Sequence, residues 1–410
     1  MIPKSLTASR TFNPIRSIVD RMQTKPNPNL PLIALSIGDP TIFGNFRPPE
    51  SLLRSLVAAA QGPVRTHGYP HSAGTSEPRQ AVAEYLSLDG RAIASQDVFL
   101  TCGCSQAIDL PLTALANPGE QEILIPRPGF SLYRALLDSK GIAWRYYDLD
   151  PNRKWQADIS GLENLVSERT AGILINNPSN PCGSNFSRDH LEAMIDFAGE
   201  RNLPILADEI YAHMAFNGAF HSVASVARGR VPVIHLGGTA KRFMIPGWRV
   251  GWIGIFDSDT PRLQQVKQGI SDLSMLTLGP SSVLQATLPS LLRDTSADYH
   301  TKNLEMMKLN ADTIRDRLAS VDGLRVIPAD GTMYLLVEID TEKFNVKDDV
   351  DFSTRLLEEQ AVFVLPGQCF QIPNFFRIVI TAPQPLIEEA CERIRKFCTD
   401  LSDKKRKILL

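Results

Sequence analysis

The chain has 410 residues, enough for two or three domains of ordinary size. Apolar residues make up 43% and charged residues 21%, a globular balance that excludes a disordered chain. Lys and Arg total 43 against 45 Asp and Glu, a net charge of −2, so there is no broad basic field for nucleic acid or an anionic membrane.

No apolar run reaches the roughly 20 residues of a membrane span, and six Cys are too few for a disulfide scaffold. From Met1 to Val19 the chain carries Lys4, Arg10 and Arg16 and no acid. That faintly resembles a mitochondrial leader, but an ordinary N-terminal arm on a cytoplasmic protein is the reading adopted. Residues 1–55 read as Pro-rich and irregular, with one short strand over Leu32–Ile37. Next come Ile-, Leu- and Val-rich runs at Glu122–Pro126, Ala171–Asn176, Pro204–Asp208, Pro232–Gly237 and Val250–Ile255. Between them lie helical stretches such as Ser105–Leu115, Phe130–Lys140 and Arg188–Arg201. Buried runs alternating with amphipathic helices predict parallel strands joined by crossover helices. From about Thr301 the alternation stops: a long helix (Lys302–Ser320) precedes strands near Leu324–Pro328, Met333–Ile339 and Phe375–Thr381, then a helix over Gln384–Leu401. Lys404, Lys405, Arg406 and Lys407 read as a solvated tail after that helix. The fold class is therefore α/β, a large three-layer domain with a mostly parallel sheet over residues 56–300. A smaller α+β domain combines the N-terminal arm (1–55) with residues 301–410.

In such sheets ligands bind beyond the carboxyl ends of the strands, and five segments there carry chemistry. Gly237-Gly238-Thr239-Ala240-Lys241 follows a strand and leads to Arg249. Lys241 in small, apolar surroundings is a candidate Schiff-base lysine, although a lone Lys is usually a surface one. Arg249 could clamp an anion. Asp208 ends a very apolar strand, so it either meets a cation, such as a protonated pyridine nitrogen, or caps the next helix. Tyr211 lies just beyond it. The segment Asn176 to Gly183 contains Asn180 in a turn signature. Gly103-Cys104-Ser105 opens a helix and offers free backbone N–H groups to a phosphate. Cys102 and Cys104 suggest a metal, but no second Cys/His pair stands at ligand spacing, so no metal is expected. Arg377 opens a buried strand, as a structural ion pair or as the seat of a carboxylate.

Taken together these segments resemble the class I aminotransferases, fold type I pyridoxal phosphate enzymes. Phe12-Asn13-Pro14-Ile15-Arg16, Leu35 to Thr41, Gly103 to Ile108, Pro126 to Ser131 and Asn176 to Ser184 carry the resemblance, which runs from about residue 11 to 400. The resemblance implies pyridoxal 5′-phosphate as cofactor, bonded to Lys241, which also moves the substrate's proton. Asp208 would pair with the ring nitrogen, Tyr211 and Asn180 with the 3′-oxygen, and Phe130 would stack on the ring. Ser105, the backbone at Gly103 and Cys104, and Arg249 would hold the phosphate. Tyr69 would reach the phosphate of a neighbouring subunit, which implies a homodimer. Arg377 would take the substrate α-carboxylate, assisted by Asn180 and by backbone near Gly38.

There are departures. Many relatives carry a hydroxyl residue three before the lysine, where Gly238 stands here; Thr239 is the adjacent substitute. Relatives specialised for aspartate use an Arg where this chain has Ser274 to Pro280 with none, so an apolar or aromatic donor such as tyrosine, phenylalanine or methionine is expected. Arg16 is the nearest group for a second carboxylate or a phenol. The reaction implied is amino transfer to a 2-oxo acid such as 2-oxoglutarate or pyruvate. A C–S lyase on the same fold is the alternative, and a cofactor-sensing transcription regulator a remote one.

Overall fold

The computed structural model describes residues 2–22, 24–257 and 261–409, with the side chains of 406–409 left aside. Fourteen strands are labelled in chain order. They are β1 (Ile33–Ala34), β2 (Val98–Thr101), β3 (Glu122–Arg127), β4 (Ala143–Asp150), β5 (Gln156–Ala157), β6 (Thr170–Asn176) and β7 (Ile205–Asp208), then β8 (Val233–Gly238), β9 (Gly251–Phe256), β10 (Leu324–Val326), β11 (Tyr334–Ile339), β12 (Val362–Phe363), β13 (Leu365–Pro366) and β14 (Phe375–Val379).

The eight-stranded sheet has the order β2-β9-β8-β7-β6-β3-β4-β5. Strands β3, β4, β6, β7 and β8 run parallel, and β9 runs antiparallel to both β8 and β2. Two antiparallel steps return β2 to the direction of β8, so its carboxyl end lies on the same edge as theirs. Successive residues serve opposite faces. Ile173, Ile175, Ile205 and Ala207 belong to one buried cluster, and Leu174, Leu206, Ile234 and Leu236 to the other. A sheet covered on both faces needs apolar residues at every position, which is why these strands read as unbroken runs.

The smaller sheet is antiparallel, in the order β10-β11-β14-β13. Helices Ala297–Leu318 and Gln384–Leu409 pack on it through Ile314, Leu318, Ile387, Ile394 and Phe397. The N-terminal segment joins this part of the molecule. β1 pairs parallel with β12, and Val379 N–H then donates to Leu35 O at 2.9 Å.

Several sequence expectations need correction. The strand over Leu32–Ile37 contracts to Ile33–Ala34, the residues in register with β12; Leu35 adds single backbone bonds to Phe363 and Val379 before the chain turns away. The N-terminal arm is helical over Leu6–Arg10 and Pro14–Met22. The second helix begins with Pro14, and Asn13 Oδ1 accepts from Ile15 N at 3.0 Å, a cap the sequence reading passed over. The basic run at 404–407 lies inside the last helix, which continues to Leu409. β4 was missed because it lies near the sheet edge beside a two-residue strand and mixes charged with aromatic residues. Among the described residues no helix is long and apolar enough to cross a membrane.

Candidate active site

A cavity of about 500 Å³ opens where β2, β6, β7 and β8 end. β11, β13 and β14 close its far side through Tyr334, Leu365 and Arg377, and helix Pro14–Met22 lends Ile15, Arg16 and Val19.

Asp208 is the last residue of β7 and is 2% exposed. Its Oδ2 accepts from Tyr133 Oη at 2.6 Å and its Oδ1 from Ile210 N at 3.2 Å, with Cys104 Sγ at 3.8 Å. The contact to Ile210 is an Asx-type turn, so of the two readings the helix cap is not what forms; Asp208 caps a turn. Burial pushes the Asp208 carboxyl up, against the pull of these hydrogen bonds. Among the described residues no Lys, Arg or His side chain forms an ion pair with it.

Arg377 presents the opposite case. It lies in β14, 3% exposed, with Nη1 donating to Asn180 Oδ1 at 3.0 Å and Nη2 to Ser36 O at 2.7 Å. Its guanidinium carbon lies 4.1 Å from the ring centre of Tyr334 and 4.7 Å from that of Phe370. Its Nε is buried without a hydrogen-bond partner. Burial lowers its pKa, yet guanidinium stays charged near neutral pH. No carboxylate pairs with it among the described residues.

Lys241 lies in the turn after β8, and its Nζ donates to Gly38 O at 2.6 Å. Nearby, Tyr211 Oη donates to Tyr334 Oη at 3.0 Å. On the other side, helix Cys104–Leu115 points its amino end at the cavity. Its first N–H groups have no carbonyl a turn earlier to bond, so they suit an anion. Arg249 lies across this helix start, with Nη2 3.5 Å from Ser105 Oγ. Gly103 makes room for it: a Cβ there would lie 2.6 Å from Arg249 Nη2, and its φ is +76°.

Of the expected site residues, Gly38, Cys104, Ser105, Phe130, Asn180, Asp208, Tyr211, Lys241, Arg249, Arg377 and Arg16 line this one cavity. Gly103 lies beneath Arg249 rather than on the cavity wall. Thr239 is buried and turns its hydroxyl to Val250 O at 3.2 Å, so its substitution for a missing hydroxyl at 238 is not what the geometry favours. At Gly238 a Cβ would meet Val250 O at 2.9 Å and Gly251 Cα at 3.1 Å, which explains the absence of a side chain there. Tyr69 lies outside the cavity and is 94% exposed. Sequence reasoning missed Tyr133, Ser36, Tyr334 and Phe370. Tyr133 had a signal, one helical turn beyond Phe130; the others depend on strand pairing far along the chain.

A buried acid without a cation, a lysine and an anion seat together suit a ligand that is at once a ring base, an aldehyde and a phosphate. That combination fits pyridoxal phosphate. Residues 31–394 match the family model for aminotransferase class I and II, and the chain belongs to that family. It is 45% identical to the tyrosine aminotransferase of Bos taurus over 95% of this chain and 87% of the relative. It is 33% identical to an S-alkyl-thiohydroximate lyase of Arabidopsis thaliana over 90% of this chain and 81% of the relative. The crystal structure of tyrosine aminotransferase from Leishmania infantum superimposes with a TM-score of 0.93 at 34% identity, covering 98% of each chain.

Proposed function

We propose that this transaminase takes the amino group of tyrosine, and of other aromatic or apolar amino acids such as phenylalanine and methionine, and passes it to a 2-oxo acid such as 2-oxoglutarate or pyruvate in alternating half-reactions. One observation carries the reading. A buried carboxylate without a cation and a buried guanidinium without an anion line the same cavity and do not pair with each other. Each is completed by a ligand: Asp208 by a cationic ring nitrogen, Arg377 by a substrate carboxylate. Ile15, Val19, Ile37, Phe363 and Leu365 add apolar wall for the side chain, and the tyrosine aminotransferase relatives support an aromatic one.

The cofactor, when bound, supplies the carbonyl that receives the amino group and the electron sink for charge developing at Cα. Lys241 would hold it and serve as the base whose Nζ takes the Cα proton and returns it. Asp208, held in place by Tyr133, would keep a proton on the ring nitrogen. Phe130 would stack on the ring, and Tyr211 and Asn180 would hydrogen-bond the 3′-oxygen. The N–H of Cys104, with Ser105 and Arg249, would seat the phosphate; the Gly103 N–H expected to join them donates to Thr101 O at 2.8 Å instead. Thr239 supports the turn carrying Lys241. Arg377 orients the α-carboxylate with Asn180 and the Gly38 backbone, and Arg16 waits at the mouth for a second carboxylate or a phenol.

The same reading makes the protein a cytoplasmic homodimer, with Tyr69 reaching the partner's phosphate seat. The exposure of Tyr69, at 94%, is what a residue reaching into a second subunit needs. It also divides the chain into an arm (1–55), a large domain (56–300) and a small domain (301–410), supported by the two separate sheets; the buried clusters cross that boundary, with Leu336 and Phe375 in the large sheet's cluster and Tyr211 and Met244 in the small one's. The test is a screen of amino donors against pyruvate, 2-oxoglutarate and oxaloacetate with purified protein. Tyrosine should yield its 2-oxo acid and the new amino acid in equal amounts. A strong preference for aspartate or glutamate would overturn the aromatic assignment. The lyase relative favours a second reading, which release of ammonia and thiol from an S-substituted donor would establish instead.

A further inference from the structure

Tyr334 opens β11, far from the segments that carry the established chemistry, yet it touches three of them. Its ring supports the Arg377 guanidinium at 4.1 Å. Its hydroxyl stands against Gly38, where a Cβ would lie 2.4 Å from Oη, so Gly38 is glycine because this phenol occupies the place of a side chain. Gly38 O in turn accepts from Lys241 Nζ at 2.6 Å. Finally, Tyr211 Oη donates to Tyr334 Oη at 3.0 Å, with the two rings edge to face at 5.8 Å.

Tyr211 has a single hydroxyl proton. Given to Tyr334, it is withdrawn from any other acceptor. We infer that Tyr334 is a positioning residue that competes with the cofactor's 3′-oxygen for the Tyr211 proton and so sets how readily the Lys241–cofactor bond takes up a proton. This rests on the cofactor reading above.

The electrostatics agree on which phenol gives and which receives. Burial pushes both upward, but at Tyr334 the charges of Lys241 and Arg377 overcome it and hold the group below its ordinary value. Tyr211 stays well above its own, through burial and the neighbouring Tyr334. The charged groups around the pair are Lys241, Arg377 and Asp39 at Tyr334, and Arg377 and Asp208 at Tyr211.

The experiment titrates the visible absorbance of the bound cofactor against pH in wild type, Tyr334→Phe, Tyr211→Phe and the double variant. Tyr334→Phe leaves the ring under Arg377 and removes only the competing oxygen. The Tyr211 proton then goes wholly to the 3′-oxygen and favours its anionic form. The midpoint should fall by about half a unit to one unit, the scale of one redirected hydrogen bond. KM for tyrosine and the 2-oxo acid should stay within about twofold, since the ring over the guanidinium is kept. In the Tyr211→Phe background, Tyr334→Phe should move the midpoint no further, because Tyr334 acts through Tyr211. An unchanged or raised midpoint in Tyr334→Phe overturns the inference, as does a rise in KM without a shift, or an equal shift in both backgrounds. A wild-type protein that shows no cofactor absorbance overturns the functional reading itself.

Discussion

Replacing Asp208 by Asn keeps the outline of the side chain and removes its charge. The carboxylate is 2% exposed and is held by Tyr133, Ile210 and Cys104, none of them cationic. With a protonated ring nitrogen about 4 Å away and an effective dielectric near 20, the lost attraction is about 4 kcal/mol. If that attraction is what keeps the nitrogen protonated as charge develops, the chemical step slows roughly a thousandfold. The assay is single turnover: cofactor-loaded enzyme mixed with tyrosine and no acceptor, followed by absorbance. Near-normal rates would refute the reasoning and leave Asp208 as a turn cap. The same residue makes an independent prediction for the cofactor-free protein. Burial raises the folded-state pKa of Asp208 above its unfolded value. Its contribution to stability is therefore present below the unfolded pKa and lost as pH rises through the folded one. At neutral pH the cofactor-free Asn variant should be at least as stable as wild type, and the difference should close in acid. Thermal unfolding across pH measures this; a wild type clearly more stable at neutral pH would contradict the burial argument.

The other predictions are direct. Lys241→Ala should fold, since the half-buried side chain makes one hydrogen bond, to Gly38 O, but it should lose the covalent cofactor bond. Borohydride reduction of wild type with peptide mapping should label Lys241, and a label on another lysine would refute the assignment. Arg377→Ala should lower kcat/KM for tyrosine, methionine and glutamate alike by about 2–5 kcal/mol, roughly thirtyfold to several thousandfold, because every substrate carries the α-carboxylate. Arg16→Ala should impair only dicarboxylic substrates, and a loss confined to tyrosine would point to phenol recognition instead. Gly238→Ser should lower the denaturation midpoint, with a cost of about 1–3 kcal/mol, because its Cβ meets the backbone of Val250 and Gly251.

Much of the large sheet was legible in the linear chain. Strands buried on both faces leave continuous apolar runs, so β3, β6, β7, β8 and β9 were found within a residue or two. Residues placed directly after those strands, such as Asp208, Lys241 and Ser105, were legible for the same reason: ligands gather at strand ends. Elements with partial exposure were not. β4 carries no unbroken apolar run, and the first arm helix has only five residues; in the second, Ile15, Ile18, Val19 and Met22 do stand at helical spacing, a signal the Pro-rich composition of the arm obscured. Tertiary structure alone decided how distant segments share the cavity. β1 joining β12 brings Ser36 and Gly38 to Arg377 and Lys241, and β11 pairing with β14 sets Tyr334 beneath Arg377. It also explains the glycine at 238: the backbone of β9 fills the space a side chain would need, and no local pattern records a neighbour contributed by another strand.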